Sequence, residues 1–252
     1  MLYYSSIVEE FKVFISKFTP YLEDIRRRLY FTAIFFVVAF VAGFLSTRYV
    51  IKFVLSFFRL DEVSIVTTSP FQFADLSIDI GLFCAFLFSF PIVIYNIYSF
   101  LRPALSKRER KVFFSLVPVS LTLFVLGFAY GFAIMYFALI VLAKINTNVG
   151  IQNIWDIGMF LSQIVLTSSL LGVLFEFPIV MTYIIRFNII DVNILRNKRR
   201  LAIFIIFIFV TLLPPTDGIS LLAMAMPLVL LYEVTIFVNS QKKRDIVENF
   251  VV

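Results

Sequence analysis

The sequence predicts an all-α integral membrane protein: six transmembrane helices in a kinked, concave bundle, with the N and C termini on the cytoplasmic side. Three observations carry this. The 252 residues are 61% hydrophobic and only 15% charged, with a mean hydropathy of +0.99, more apolar surface than a water-soluble fold of this size can hide. The apolar residues gather into long runs separated by short charged clusters, where a transmembrane barrel would show weak alternation. The basic residues of those clusters also rise and fall in number from one connection to the next, as the orientation of spans requires.

Six apolar segments, at about 29–47, 80–101, 112–141, 158–185, 201–213 and 219–238, stand against the roughly 20 residues that cross a bilayer as a helix. They make one membrane domain over 1–240 and leave a short cytoplasmic tail at 241–252. Residues 29–45 read as a permanent first span, because no small-residue cleavage site follows them. The fifth segment, Leu201 to Leu213, rises only about 20 Å as a helix, short of a ~30 Å hydrocarbon core. It is expected to thin the bilayer or to sit tilted within protein.

Of 22 lysines and arginines, 18 fall in the leading segment, the loops after the second and fourth spans, and the tail. Only Arg48, Lys52, Arg59 and Lys144 face outward, and this asymmetry sets both the span count and the cytoplasmic termini. The same clustering between apolar runs assigns the net charge of +6 to lipid headgroups rather than to nucleic acid. The first outer loop, about 48–79, is the longest connection; its apolar stretch Arg48 to Leu60 predicts a short interfacial helix, broken at Thr67-Thr68-Ser69-Pro70. No internal repeat is visible, which weighs against an inverted-repeat transporter.

Catalysis is hard to build from this inventory. Histidine is absent and Cys84 is the single cysteine, so neither a disulfide framework nor a thiolate metal site is available, and no cofactor is expected. An intramembrane enzyme on Ser168, Ser169 or Cys84 lacks a histidine partner.

The acidic residues are the candidates instead. Glu23 and Asp24 precede Arg26, Arg27 and Arg28; a local reading pairs them with Arg27 or Arg28 along one helix, and a functional one makes them acceptors for an incoming cation. Glu109 sits within Lys107-Arg108-Glu109-Arg110-Lys111, either neutralising a basic loop or serving as an acceptor ready to exchange partners with a guanidinium. Glu176 lies inside the fourth segment, where a carboxylate at the bilayer centre costs about 2.5–3.5 kcal/mol on insertion scales; it is either a neutral acid bonded to a neighbouring helix or a functional intramembrane group. Glu233, near the cytoplasmic end of the sixth segment, can snorkel to the interface. Glu176 and Glu233 also support a second reading, an ion-coupled secondary transporter. Pro91, Pro118, Pro178 and Pro227 fall within apolar segments, where each is expected to remove a backbone hydrogen bond and kink its helix.

The run from Phe90-Pro91 through Arg102-Pro103-Ala104-Leu105-Ser106 to Lys107-Arg108-Glu109-Arg110-Lys111 resembles the second span and first cytoplasmic loop of the TatC family. Tyr21-Leu22-Glu23-Asp24-Ile25-Arg26, Phe175-Glu176-Phe177-Pro178, and Leu213-Pro214-Pro215-Thr216-Asp217 followed by Pro227 and Tyr232-Glu233 resemble the same family in order. Asp24 stands at the acidic position of the family's His-Leu-x-Glu-Leu-Arg pattern. Ser69-Pro70-Phe71-Gln72 stands where the family usually has Ser-Pro-x-Glu, and Asp79 departs from the basic residue expected after it.

The resemblance implies a receptor for folded proteins bearing twin-arginine signal peptides, in the bacterial cytoplasmic membrane or an organellar one. It also implies TatA-type and TatB-type single-span partners, a homo-oligomer within a larger complex, and drive by the proton-motive force. It assigns signal contacts to Glu109, Asp24, Glu23 and Arg26, an intramembrane polar role to Glu176 and Glu233, and structural roles to Pro91, Pro103, Pro178, Pro214, Pro215 and Asp217.

Overall fold

A backbone in lipid must satisfy its own hydrogen bonds locally, and long runs of Phe, Ile, Leu and Val therefore settle as helices. The computed structural model describes the backbone of residues 2–58, 63–101, 107–187 and 189–251, and the side chains of residues 23–58, 63–97, 99–100, 110–111, 114–187 and 189–241. The described elements are α1 (Leu2–Phe57), β1 (Val63–Val66), α2 (Gln72–Leu101), α3 (Lys107–Asn148), β2 (Asn153–Asp156), α4 (Ile157–Leu174), α5 (Phe177–Arg186), α6 (Val192–Asn197), α7 (Arg199–Thr211) and α8 (Gly218–Val251). Among the described residues five helical stretches are long and apolar enough to cross a membrane: Glu23–Phe57, Gln72–Ile97, Phe114–Asn148, Ile157–Arg186 and Gly218–Gln241. The protein is a mostly helical, multi-pass membrane protein.

β1 and β2 pair in parallel, Val63 opposite Asn153 through Val66 opposite Asp156. Because β1 follows α1 and β2 follows α3, the ends of α1 and α3 and the starts of α2 and α4 share one end of the molecule. An aromatic knot fills that end. Phe58, 2% exposed, meets the rings of Phe132, Tyr136 and Phe160 edge-on at 5.1 to 5.4 Å.

This knot explains a departure from the sequence expectation. Residues 48–57 are not a separate interfacial helix; they are the last turns of α1. No glycine or proline interrupts the run, Thr47 turns its hydroxyl back onto the Phe44 carbonyl at 2.7 Å, and Val54 and Phe58 are drawn into the buried cluster. The connection to α2 therefore shortens to residues 58–71.

The segment 158–185 also differs: it breaks into α4 and α5 at Phe175-Glu176. Pro178 was expected to kink a continuous helix by removing a bond. It stands instead in the first turn of α5, where its missing N–H has no helical acceptor to lose. Pro91, Pro118 and Pro227 lie inside α2, α3 and α8. At Pro227 the acceptor deprived of its helical donor is the Ala223 carbonyl, four residues back, and the Tyr130 hydroxyl of α3 donates to it at 2.7 Å.

α3 and α4 approach until only glycine fits. A Cβ on Gly127 would lie 2.6 Å from Phe175 Cγ, and one on Gly131 would lie 2.7 Å from Ser168 Cα. This small-residue pair at four-residue spacing is the packing device of membrane helices, which gain nothing from apolar burial against lipid and associate through close van der Waals fit.

α7 has 13 residues and rises about 20 Å, and its far turn stops short of the aromatic end. The Pro214 carbonyl after α7 accepts from Thr167 Oγ1 at 2.5 Å. Thr167 lies ten residues into α4, about 15 Å below its start.

Gly131→Ala is expected to lower stability by about 1–3 kcal/mol by forcing α3 from α4, read as a lower melting temperature in detergent. Gly218→Ala, with nothing within 4 Å of the added Cβ, should leave it unchanged. Equal melting temperatures for both variants would contradict the close-packing account.

Candidate functional site

The end opposite the aromatic knot gathers the charged candidates. Asn96 near the close of α2 donates to Thr32 Oγ1 of α1 at 2.7 Å, which registers the two antiparallel helices. From that bond, Asp24 lies eight residues toward the start of α1 and Leu101 five residues toward the end of α2, so Asp24 and the start of α3 share this end. Arg28 Nε donates to Asp24 Oδ2 at 2.8 Å, the i to i+4 pair that the local reading anticipated. Glu23 and Arg26 are exposed. Glu109 falls in the first turn of α3 with its side chain outside the described residues, and Pro103 lies outside them altogether.

Glu176 sits at the break between α4 and α5, 8% exposed. Ser120 of α3 donates to its Oε2 at 2.7 Å, while its Oε1 is buried with no hydrogen-bond partner among the described residues. Ser120 lies 13 residues into α3, about 20 Å from the charged end, so this carboxyl group sits at membrane depth. Both alternatives of the sequence reading remain compatible with one bonded and one unbonded oxygen.

Glu233 pairs with Arg199 at 3.0 Å, both part-exposed, and the neighbouring Tyr232 hydroxyl donates to the Leu195 carbonyl at 2.8 Å. These contacts tie the middle of α8 to α6 and α7. At the other end of the hairpin, Asp217 precedes α8: its Oδ1 accepts from Ser220 N at 2.8 Å and its carbonyl from Leu221 N at 3.0 Å. Pro214 and Pro215, joined by a cis peptide bond, form the turn before it.

Sequence reasoning missed a polar clamp at the aromatic end. Asp156, the last residue of β2, accepts from the Thr68 hydroxyl, from Gln72 Nε2 at 2.5 Å and from Met159 N at 2.9 Å at the start of α4. Gln72 Oε1 in turn accepts from Thr68 N at 3.0 Å. The Thr68 hydroxyl bond first, then the Met159 N–H and the Gln72 amide, pull the Asp156 carboxyl down to about 2. Nothing local announces this group, since Thr68 is 88 residues away. The Gly127–Gly131 spacing, by contrast, was readable.

The family model described as "Sec-independent protein translocase protein (TatC)" matches residues 20–227. The chain belongs to the TatC family. It is 30% identical over 236 residues to a TatC of Aquifex aeolicus, covering 90% of this chain and 98% of that one. It is 25% identical over 228 residues to TatCy of Bacillus subtilis, with 89% of each chain covered. A crystal structure of the twin-arginine translocase receptor TatC in DDM superposes with a TM-score of 0.77 at 28% identity, over 87% of this chain and 99% of that one.

Membership makes this TatC chain a subunit of the Sec-independent protein translocase, a transport protein by family rather than a catalyst. One departure from the TatC pattern acquires a physical consequence. A glutamate at position 72 could not donate to Asp156, whereas Gln72 both donates to it and accepts from Thr68.

Because the folded Asp156 titrates below its ordinary value of 3.8, the clamp contributes stability above about pH 4 and loses it as pH falls toward 2. The melting temperature of the parent protein should fall more steeply across that window than that of Asp156→Asn. Parallel pH profiles would show that the clamp adds no stability.

Proposed function

We propose that this chain is the core receptor subunit of the twin-arginine translocase. It binds the twin-arginine signal peptides of folded proteins for export across the bacterial cytoplasmic (inner) membrane, driven by the proton-motive force. The observation that carries the reading is the match, over 99% of its length, to a crystal structure of a TatC described as the twin-arginine translocase receptor.

The chemistry supports it. A pair of arginines presents planar forks suited to bidentate carboxylate contacts. Asp24 already holds one guanidinium, that of Arg28, and an exposed pair of this kind is worth about 0–1 kcal/mol, so an incoming arginine can replace it at little cost. Glu109 supplies the second carboxylate from the start of α3, with Glu23 and Arg26 at the rim. Glu176, through its unbonded Oε1, and Glu233 offer polar contacts to the signal or to a partner helix.

In this reading residues 1–240 form one membrane domain of six segments, α7 being the short one, and both termini and the 241–252 tail are cytoplasmic. Pro91 and the α4–α5 break just before Pro178 bend the bundle into a concave form, Pro103 shapes the cytoplasmic loop, and Pro214, Pro215 and Asp217 set the turn into α8. The short α7 thins the bilayer beside TatA-type and TatB-type single-span partners, and several copies of the chain assemble within the larger complex.

The test is binding of the purified protein in nanodiscs to a twin-arginine signal peptide and to the same peptide with both arginines changed to lysine. Selective loss with the lysine peptide is expected, and Asp24→Ala or Glu109→Ala should weaken the arginine peptide about tenfold or more, the loss of one charge-assisted pair. Unchanged crosslinking to the signal in both variants would remove the carboxylate assignment. Equal binding of the two peptides would overturn the receptor reading and direct attention to solute flux through this chain alone.

A further inference from the structure

At the charged end, where α6 passes into α7 beside the middle turns of α8, a cavity of about 270 Å³ has Arg196 and Arg199 on one side and Ser240 and Gln241 on the other. Its wall on α8 also includes Ile236, buried, and Phe237, 63% exposed. We infer that this cavity is a binding site for the phosphodiester headgroup of an anionic phospholipid. The inference does not depend on signal-peptide recognition.

Charge is the first argument. Arg196-Asn197-Lys198-Arg199-Arg200 puts four cations into five residues, and Glu233 is the carboxylate in the cavity wall. Glu233 is already neutralised by Arg199 at 3.0 Å, and this bond holds the Arg199 guanidinium in place while leaving it further N–H donors. Arg196 is exposed and makes no ion pair among the described residues. The cavity therefore presents one committed and one uncommitted guanidinium, a surplus of positive charge with fork geometry for phosphate oxygens.

Shape and polarity are the second. The cavity lies below the ~300 Å³ at which sites for whole drug-sized ligands begin, so it suits a headgroup and not a complete amphiphile. The rest of the ligand must lie outside, and the surface it meets there is apolar: Phe237 on α8 and Leu201 and Phe204 on α7 are 52 to 63% exposed. A phosphate with acyl chains matches this junction of basic pocket and lipid-facing helices, while a free anion uses only the basic half. The Ser240 hydroxyl and Gln241 amide suit the hydroxyls of a glycerol headgroup, whereas a choline headgroup would bring its ammonium against Arg196.

The full chain, purified in an uncharged detergent, is titrated with phosphatidylglycerol, with phosphatidylcholine of the same acyl composition, and with inorganic phosphate, and bound lipid is counted by native mass spectrometry. Selective retention of phosphatidylglycerol is expected, weakened about tenfold by Arg196→Gln and unaltered by Arg48→Gln at the opposite end. Arg196 has no ion-pair partner to lose among the described residues, so the variant keeps its fold, and an unshifted melting temperature without lipid checks that. Equal retention of the two lipids, or unchanged retention in Arg196→Gln, overturns the inference. Displacement of phosphatidylglycerol by inorganic phosphate at the same concentration also overturns it, because the site would then recognise the free anion.

Discussion

Lipid offers no hydrogen bonds, and much of this architecture follows from that. Several of the carbonyls and polar side chains that lie at membrane depth find their partner on another helix. The carbonyl opened by Pro227 accepts a hydrogen bond from Tyr130, the Pro214 carbonyl accepts one from Thr167, and the Glu176 carboxyl accepts one from Ser120. Asn96 with Thr32 and Ser162 with Asp79 do the same between α2 and its neighbours. Because each such bond joins two particular residues on two helices, it also sets the depth at which they meet. The shortness of the α7–α8 hairpin is thus anchored to one level of α4.

The two ends of the molecule answer different demands. At the aromatic end, the ring cluster around Phe58, the two-stranded sheet and the Asp156 clamp join α1, α2, α3 and α4 into a tied unit. The close approach at Gly127 and Gly131 extends that tie down α3 and α4. At the charged end, the two ion pairs within the described side chains, Asp24 with Arg28 and Glu233 with Arg199, are part-exposed. The Asp24–Arg28 pair lies within one helix and is of the weak kind, so it can exchange partners without disturbing the bundle. The bundle is thus tied at one end and carries part-exposed charge at the other.

The break at Phe175-Glu176 joins these two regimes. It sits where α4 leaves the glycine-packed stretch, at a buried carboxyl bonded to Ser120, and the helix restarts at Phe177. A continuous helix would lose a ladder bond there, since Pro178 has no N–H to give the Leu174 carbonyl.

Composition, run length and loop charge were enough to declare a multi-pass helical membrane protein, because a solvent without hydrogen bonds leaves few ways to arrange so apolar a chain. The motif around Phe90 to Lys111 was enough to suggest the family, and the short seventh helix was visible from its length alone. Where α1 ends was not legible, because Phe58 is held there by rings from α3 and α4 that lie far along the chain. The break before Pro178 was not legible either, since a proline inside an apolar run can kink a helix or begin one, and packing against α3 decides between them. The Asp156 clamp and the cavity beside Arg196 are likewise products of tertiary structure. Their members come from separate elements, and hydropathy, which is a sum over neighbours in sequence, carries no information about neighbours in space.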